Sequence, residues 1–113
     1  MDINAELKLL NIELVYMKLE CKGCYIPGYK TIFVNEELSE IEARSVIYHE
    51  LGHIKRHTDM FNLYDSPTMH SKMEYEANQF MIDNLIADSD GHYNYSQVLD
   101  RFKLGIGWQF KTQ

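Results

Sequence analysis

The fold of this chain is indicated above all by one stretch, Tyr48-His49-Glu50-Leu51-Gly52-His53-Ile54. On an α-helix, residues four apart lie on one face, so His49 and His53 can direct two imidazole nitrogens at one point. Glu50 is rotated by about 100° from His49 around the axis, where its carboxylate reaches a water on a metal rather than the metal itself. The pattern predicts a metal site with the two histidines as ligands and Glu50 as general base.

The residues around this stretch predict the helix that carries it. Ser39-Glu40-Ile41-Glu42 is a capping box, which places the start of the helix near Glu40 and its end near His57. Gly52 inside such a helix costs about 1 kcal/mol relative to alanine, so we expect another segment to pack closely against its backbone. The predicted buried stripe consists of Ile41, Val46, Ile47, Leu51 and Ile54.

A catalytic zinc takes three protein ligands and leaves one position for water, so the two histidines need a partner. His57 lies about 12 Å along the axis from His49, too far for the same ion. Asp59 occupies the ligand position of an extended zincin pattern, but Arg56 stands where that pattern needs a glycine turn. Neither residue is a favoured third ligand.

An acid on the next helix is the better candidate. Glu74 and Asn78 are four apart and share a face, so Glu74 can bind the metal while the Asn78 amide holds a histidine ring. Glu76 lies two positions round, nearer to solvent. Glu74 is therefore preferred over Glu76, and the predicted zinc ligands are His49, His53 and Glu74.

The remaining sequence predicts an α+β fold. Residues 3–18 have helical apolar spacing. Lys22-Gly23 indicates a hairpin turn between two short β-favouring runs within residues 19–26, and Pro27-Gly28 indicates a second turn. Residues 29–34 are rich in β-branched and aromatic side chains. Residues 58–71 are predicted as a loop, and helices are predicted over residues 71–87 and 95–103. The expected architecture is a single minimal zincin-like domain over residues 1–113. Its small antiparallel sheet packs on the motif helix, with two or three further helices.

Composition excludes several classes of function. A net charge of -6 without clustered lysine and arginine argues against direct nucleic-acid binding. No apolar run approaches the roughly 20 residues that cross a bilayer, and the N-terminus does not have the layout of a signal peptide. We therefore expect a cytoplasmic protein with no membrane contact. Cys21 and Cys24 are expected to be reduced thiols, because a structural zinc needs four ligands and no second pair lies nearby.

Four segments together resemble the ImmA/IrrE family of small metallopeptidases, over residues 25–87. They are Ile32-Phe33-Val34-Asn35, residues 40–44, His49-Glu50-Leu51-Gly52-His53 and Glu74-x-Glu76-Ala77-Asn78-x-Phe80. The resemblance implies zinc as the metal and, as protein substrate, a helix-turn-helix repressor of a phage or mobile element. The chain is thus expected to be a zinc endopeptidase that cleaves such a repressor. The alternative is a regulatory protein of the same fold that binds a repressor without cutting it.

Two expectations concern how a substrate would be held. The edge of the strand at Ile32–Val34 is expected to align an extended peptide by β-addition. A hydrogen-bond donor is also expected for the oxyanion, the negatively charged oxygen that forms when the peptide carbonyl is attacked. The candidates are Tyr48, Tyr64, His70, Tyr75 and His92.

Overall fold

The structure is a computed structural model, and it describes residues 1–57 and 66–89. Three helices and three strands make up this part of the chain. They are α1 (Ile3–Leu10), β1 (Glu13–Met17), β2 (Gly23–Ile26), β3 (Thr31–Asn35), α2 (Glu40–His57) and α3 (Pro67–Asp88), with a one-turn 3-10 helix at Pro27–Tyr29. This arrangement confirms the predicted α+β class. Within these residues, no helix combines the length and apolar character needed to span a bilayer.

The sheet is mixed rather than antiparallel as predicted. β3 is the central strand, with β1 parallel to it on one side and β2 antiparallel on the other. The turn predicted at Lys22-Gly23 is wrong, because Gly23 opens β2. The hairpin instead joins β2 to β3 through Pro27–Tyr29, where the second predicted turn is confirmed.

The helix predicted over residues 3–18 ends at Leu10. Asn11 adopts a left-handed conformation with φ 59°, and its N–H caps the helix by donating to the carbonyls of Leu7 and Lys8. β1 follows, with Leu14 paired to Ile32 of β3. Over so short a run the apolar residues fit both helical and strand spacing, and pairing with a strand far along the chain decides between them.

α2 matches its predicted bounds and covers one face of the sheet. The amide of Glu42 donates to the Ser39 hydroxyl at 3.3 Å and the amide of Ser39 donates to the Glu42 carboxylate at 3.4 Å, which confirms the capping box. Burial of apolar side chains between helix and sheet provides the main stabilisation. The core consists of Leu7, Ile12, Ile32, Val34, Ala43, Ile47, Tyr48, Leu51, Ile54, Met81, Ile82 and Leu85.

α3 begins four residues earlier than the predicted residue 71. Pro67 stands in its first turn, where the fixed φ of proline suits a helix and its missing N–H costs nothing. The predicted loop is therefore wrong for residues 67–71, which are helical. The rest of that loop, residues 58–65, and the helix predicted over residues 95–103 lie outside the described residues.

α2 and α3 run antiparallel and are in close contact at Gly52. A Cβ atom at this position would lie 3.0 Å from the Cα of Ala77 and 3.1 Å from the Cβ of Phe80. Both distances are shorter than ordinary van der Waals contact, so only glycine allows the helices this approach. The predicted close packing at Gly52 is confirmed.

A polar cluster joins the two helices at the other end. Asp88 of α3 accepts a hydrogen bond from Nη2 of Arg44 at 2.6 Å and another from the hydroxyl of Tyr48. Burial opposes ionisation of Asp88, but these two donors together lower its pKa. Burial and the bond to Asp88 raise the pKa of Tyr48 to about 12, so its hydroxyl stays a donor at neutral pH.

Gly52→Ala tests the helix contact. Overpacking typically costs about 1–3 kcal/mol, and the better helix propensity of alanine returns about 1 kcal/mol. We expect a net loss of about 1 kcal/mol in the free energy of unfolding, and a larger loss for Gly52→Val, measured by chemical denaturation. A stabilised Gly52→Ala variant would show that the helices have room to spare.

Asp88→Asn tests the polar cluster through its pH dependence. The variant should lose about 2 kcal/mol of stability at pH 7, because two hydrogen bonds to a charged acceptor are weakened. The pKa of Asp88 is lower in the folded than in the unfolded chain, so the unfolded chain takes up the proton first as the pH falls. The difference between wild type and variant should therefore shrink below about pH 4.

Asp83→Asn is the matched control, since Asp83 is exposed on the same helix. Its stability relative to wild type should show no comparable change between pH 7 and pH 3. An Asp88→Asn deficit of equal size at both pH values would contradict the assigned role of the charge.

Candidate metal centre

α2 presents His49 and His53 on one face, one turn apart. Their ring centroids lie 4.9 Å apart, with the rings nearly perpendicular. The capping box and the buried stripe fix the rotation of α2 on the sheet, and this rotation turns both imidazoles toward α3. The predicted placement of the two histidines on one face is therefore what the structure shows.

Glu74 of α3 lies between the two imidazoles. Its Oε2 is 2.9 Å from Nε2 of His49, and its Oε1 is 3.2 Å from Nε2 of His53. Glu74 is 5% exposed and His53 7% exposed. A carboxylate this deeply buried needs partners, because burial of an unpaired charge is very costly. The two imidazoles supply them here.

His49, His53 and Glu74, together called the metal group below, can hold a metal ion between them. Their ligand atoms all lie within 4.8 Å of one another. Two donors that bind one tetrahedral ion at about 2.0–2.1 Å lie about 3.3 Å apart. The observed nitrogen-to-oxygen distances of 2.9 and 3.2 Å are close to this separation. Two imidazoles and one carboxylate therefore fit a divalent metal ion, with a coordination position left over.

Among the described residues, the structure brings Glu74 to the histidines and leaves Glu76 outside the group. Glu76 is on the same helix but rotated away and only partly buried. Asp59 and the side chain of His57, the other third-ligand candidates, lie outside what the structure describes.

The charge of Glu74 also affects the protonation of His49. Burial disfavours the imidazolium form, but the hydrogen bond and the negative charge of Glu74 outweigh it and raise the pKa of His49. Protonation of His49 therefore competes with metal binding in this group. Metal binding must displace that proton, so the apparent affinity for metal falls as the pH decreases.

Glu50 lies beside the group without belonging to it. Its carboxylate is close enough to interact electrostatically with His49, His53 and Glu74. Burial is the largest effect and raises the pKa of Glu50, although the two histidines act in the opposite direction. A carboxylate with a raised pKa next to a metal group is suited to accept and return a proton.

The five candidates for the oxyanion donor differ in where they lie relative to the metal group. The hydroxyl of Tyr48 is bound to Asp88 at the far end of the helix pair, so it does not face the metal group. Tyr75 is 48% exposed. His70 lies one turn before Glu74 on α3 and is partly buried. Tyr64 and His92 lie outside the described residues.

The strand edge near the site is β2, not β3. The prediction that residues 32–34 offer a free edge is wrong, because β3 is paired on both sides. Gly23 of β2 packs against Val46, one turn before Glu50 on α2, and a Cβ at Gly23 would lie 2.6 Å from Cγ1 of Val46. β2 therefore runs beside the part of α2 that carries the motif.

Cys21 and Cys24 are free thiols outside the metal group. Cys21 is exposed, and its Sγ lies 3.9 Å from the carbonyl oxygen of Gly23. Burial, and then the neighbouring Cys21 and Glu50, raise the pKa of Cys24. This thiol therefore lies in the neighbourhood of the motif helix without contributing a ligand.

Sequence reasoning missed two features of this region. The start and the partner of β2 were missed, because Gly23 suggested a turn between two short β-favouring runs rather than a strand residue packed against a helix. The cluster at Asp88 also escaped notice, although Arg44 and Tyr48 are four apart and so share a helix face. That spacing was a usable signal for a shared partner.

Comparison with known proteins gives one positive result. No curated protein matches the chain. A family model described as the IrrE N-terminal-like domain, of peptidase family M78, matches residues 8–102. This range includes the two helices of the candidate site and the three strands of the described residues, and it confirms the resemblance seen in the sequence. The chain therefore belongs to the IrrE N-terminal-like family of peptidases.

Proposed function

We propose that this chain is a zinc-dependent endopeptidase of phage or mobile-element origin that cleaves a helix-turn-helix transcriptional repressor. The observation that carries the proposal is the convergence of His49, His53 and Glu74, with Glu50 beside them. Membership of a peptidase family supports hydrolysis of a peptide bond. Imidazole nitrogens favour zinc over magnesium or calcium, which prefer all-oxygen ligands.

When bound, the zinc ion would polarise the scissile carbonyl and make a water molecule more acidic. Glu50 would take the proton from that water on a carboxylate oxygen and deliver it to the leaving amine. Its position suits this role, because it lies beside the ligands but is not one of them. Burial of Glu50 raises its pKa and so strengthens its affinity for the proton it must carry.

β2 is proposed to align the substrate. The amide of Asn35 donates to the carbonyl of Lys22 at 2.9 Å, so in this antiparallel pair the backbone groups of the next residue, Gly23, face away from β3. The outward carbonyl of Gly23 meets the weakly donating thiol of Cys21. An extended peptide would replace this contact and add a strand to the sheet beside α2.

The repressor as substrate rests on the family resemblance and on charge. With a net charge of -6, the chain is poorly suited to contact DNA directly. An effect on transcription that acts through a protein substrate is more consistent with this negative charge than one that acts through direct contact with DNA. Cleavage of the repressor would then release the genes it holds silent.

Metal content tests the ligand set. Purified protein should contain about one zinc per chain, and His53→Ala and Glu74→Ala should lose most of it, because each removes one of three ligands. Glu76→Ala is the matched control and should keep its zinc, as measured by elemental analysis. Retention in Glu74→Ala with loss in Glu76→Ala would reverse the assignment of the third ligand.

Glu50→Gln tests the reaction. Helix-turn-helix repressors encoded in the same genome are incubated with zinc-loaded protein, and fragments are identified by mass spectrometry. Glu50→Gln should bind zinc but cleave at least a hundredfold more slowly, since loss of a general base costs about 10²–10⁴-fold. Glu37→Gln, which removes the same charge from an exposed loop, should cleave at the wild-type rate.

The same experiment separates cleavage from binding. If wild type and Glu50→Gln both release a repressor from its operator without producing fragments, the chain acts by docking and is not a peptidase. Co-purification with the Glu50→Gln form, which should hold its substrate uncut, would identify the partner.

A further inference from the structure

Asn78 is a buried amide without a hydrogen-bond partner. It lies on α3 one turn beyond Glu74 and is 2% exposed. Neither Oδ1 nor Nδ2 has a partner in the described part of the chain. Leaving a buried polar group unpaired costs about 1–3 kcal/mol, so such a group calls for an explanation.

Asn78 lies on the face of α3 that meets the histidines, because it follows Glu74 by one turn of the helix. The ring of His49 lies within interaction range of the Asn78 side chain, although the contact falls short of a hydrogen bond. Nε2 of His49 already lies 2.9 Å from Glu74, among the metal-facing atoms. The ring atom left for Asn78 is therefore Nδ1.

We propose that Asn78 is a positioning residue for the metal centre, with its Oδ1 accepting the Nδ1–H of His49 when Nε2 binds the ion. The proposal rests on the zinc site proposed above. A histidine that binds metal almost always donates its other N–H to an acceptor, which fixes the tautomer and the orientation of the ring. The buried amide thus gains its partner when the metal is bound.

The choice of an amide fits the charges of the site. Glu74 and Glu50 already place two carboxylates next to the histidines. A third carboxylate at position 78 would add repulsion in a buried region, where charges interact strongly. The amide oxygen accepts the same hydrogen bond without adding charge.

A competing role uses the other end of the amide. Nδ2 could donate to the Glu74 carboxylate, since the two residues are four apart on one helix. Asn78→Asp distinguishes these roles, because aspartate keeps an acceptor and removes the donor. Asn78→Leu removes both at similar volume.

The decisive measurement is zinc affinity, determined by competition with a chelator. Asn78→Leu should bind zinc about 10–100-fold more weakly than wild type, the usual loss for an outer partner of a metal-binding histidine. Asn78→Asp should stay within a few-fold of wild type, because the bound ion offsets the repulsion between its carboxylate and those of Glu74 and Glu50. Asn84→Leu is the control and should not change the affinity, because Asn84 bonds to the backbone of Phe80.

Thermal unfolding supplies a second readout. Without metal, Asn78→Leu should be as stable as wild type or more stable, because it removes an unpaired buried amide. With zinc, it should gain less in Tm than wild type does. A purely structural role would instead lower the Tm in both states. If Asn78→Leu does not fold, Asn78→Ala carries the same comparison.

Each result decides one question. Equal zinc affinity of wild type and Asn78→Leu overturns the positioning role, and so does an Asn78→Asp variant as weak as Asn78→Leu. Wild-type protein that binds no zinc overturns the proposed function instead.

Discussion

The close contact between α2 and α3 at Gly52 is the constraint on which the candidate site depends. Ala77 packs directly on the glycine backbone, and Glu74 lies less than one turn away on the same helix. A side chain at Gly52 would push α3 outward and withdraw the carboxylate from His53. The glycine lowers the helix propensity of α2, and this cost is accepted where the two helices must meet.

The polar groups of the site form a set that is incomplete without a cation. Two imidazoles face one buried carboxylate, and a second carboxylate lies beside them. Such a group is stable only if positive charge offsets the negative charge in a poorly solvated region. Burial opposes protonation of His49, but the hydrogen bond and negative charge of Glu74 outweigh it and raise the pKa of the ring, so a proton there would offset part of the negative charge. A divalent ion would offset more of it and from a central position.

Local signals in the sequence were sufficient for α2 and for most of the site. The capping box, the apolar stripe and the spacing of His49 and His53 all lie within one continuous segment, and Glu74 follows from the same-face rule on the next helix. β1 could not be predicted in this way, because its identity depends on pairing with β3 rather than on its own residues. The same limit applies to Asp88, whose partners lie about 40 residues away in the chain.

The positions of these contacts along α3 have a mechanical consequence. If the contact at Ala77 acts as a fulcrum, Asp88 is the end of a long arm of about 16 Å and Glu74 the end of a short arm of about 4.5 Å. A tilt that displaces Asp88 by 1 Å then displaces Glu74 by only about 0.3 Å. A displacement at the Asp88 end of α3 is therefore reduced to about a third by the time it reaches Glu74 and the metal group.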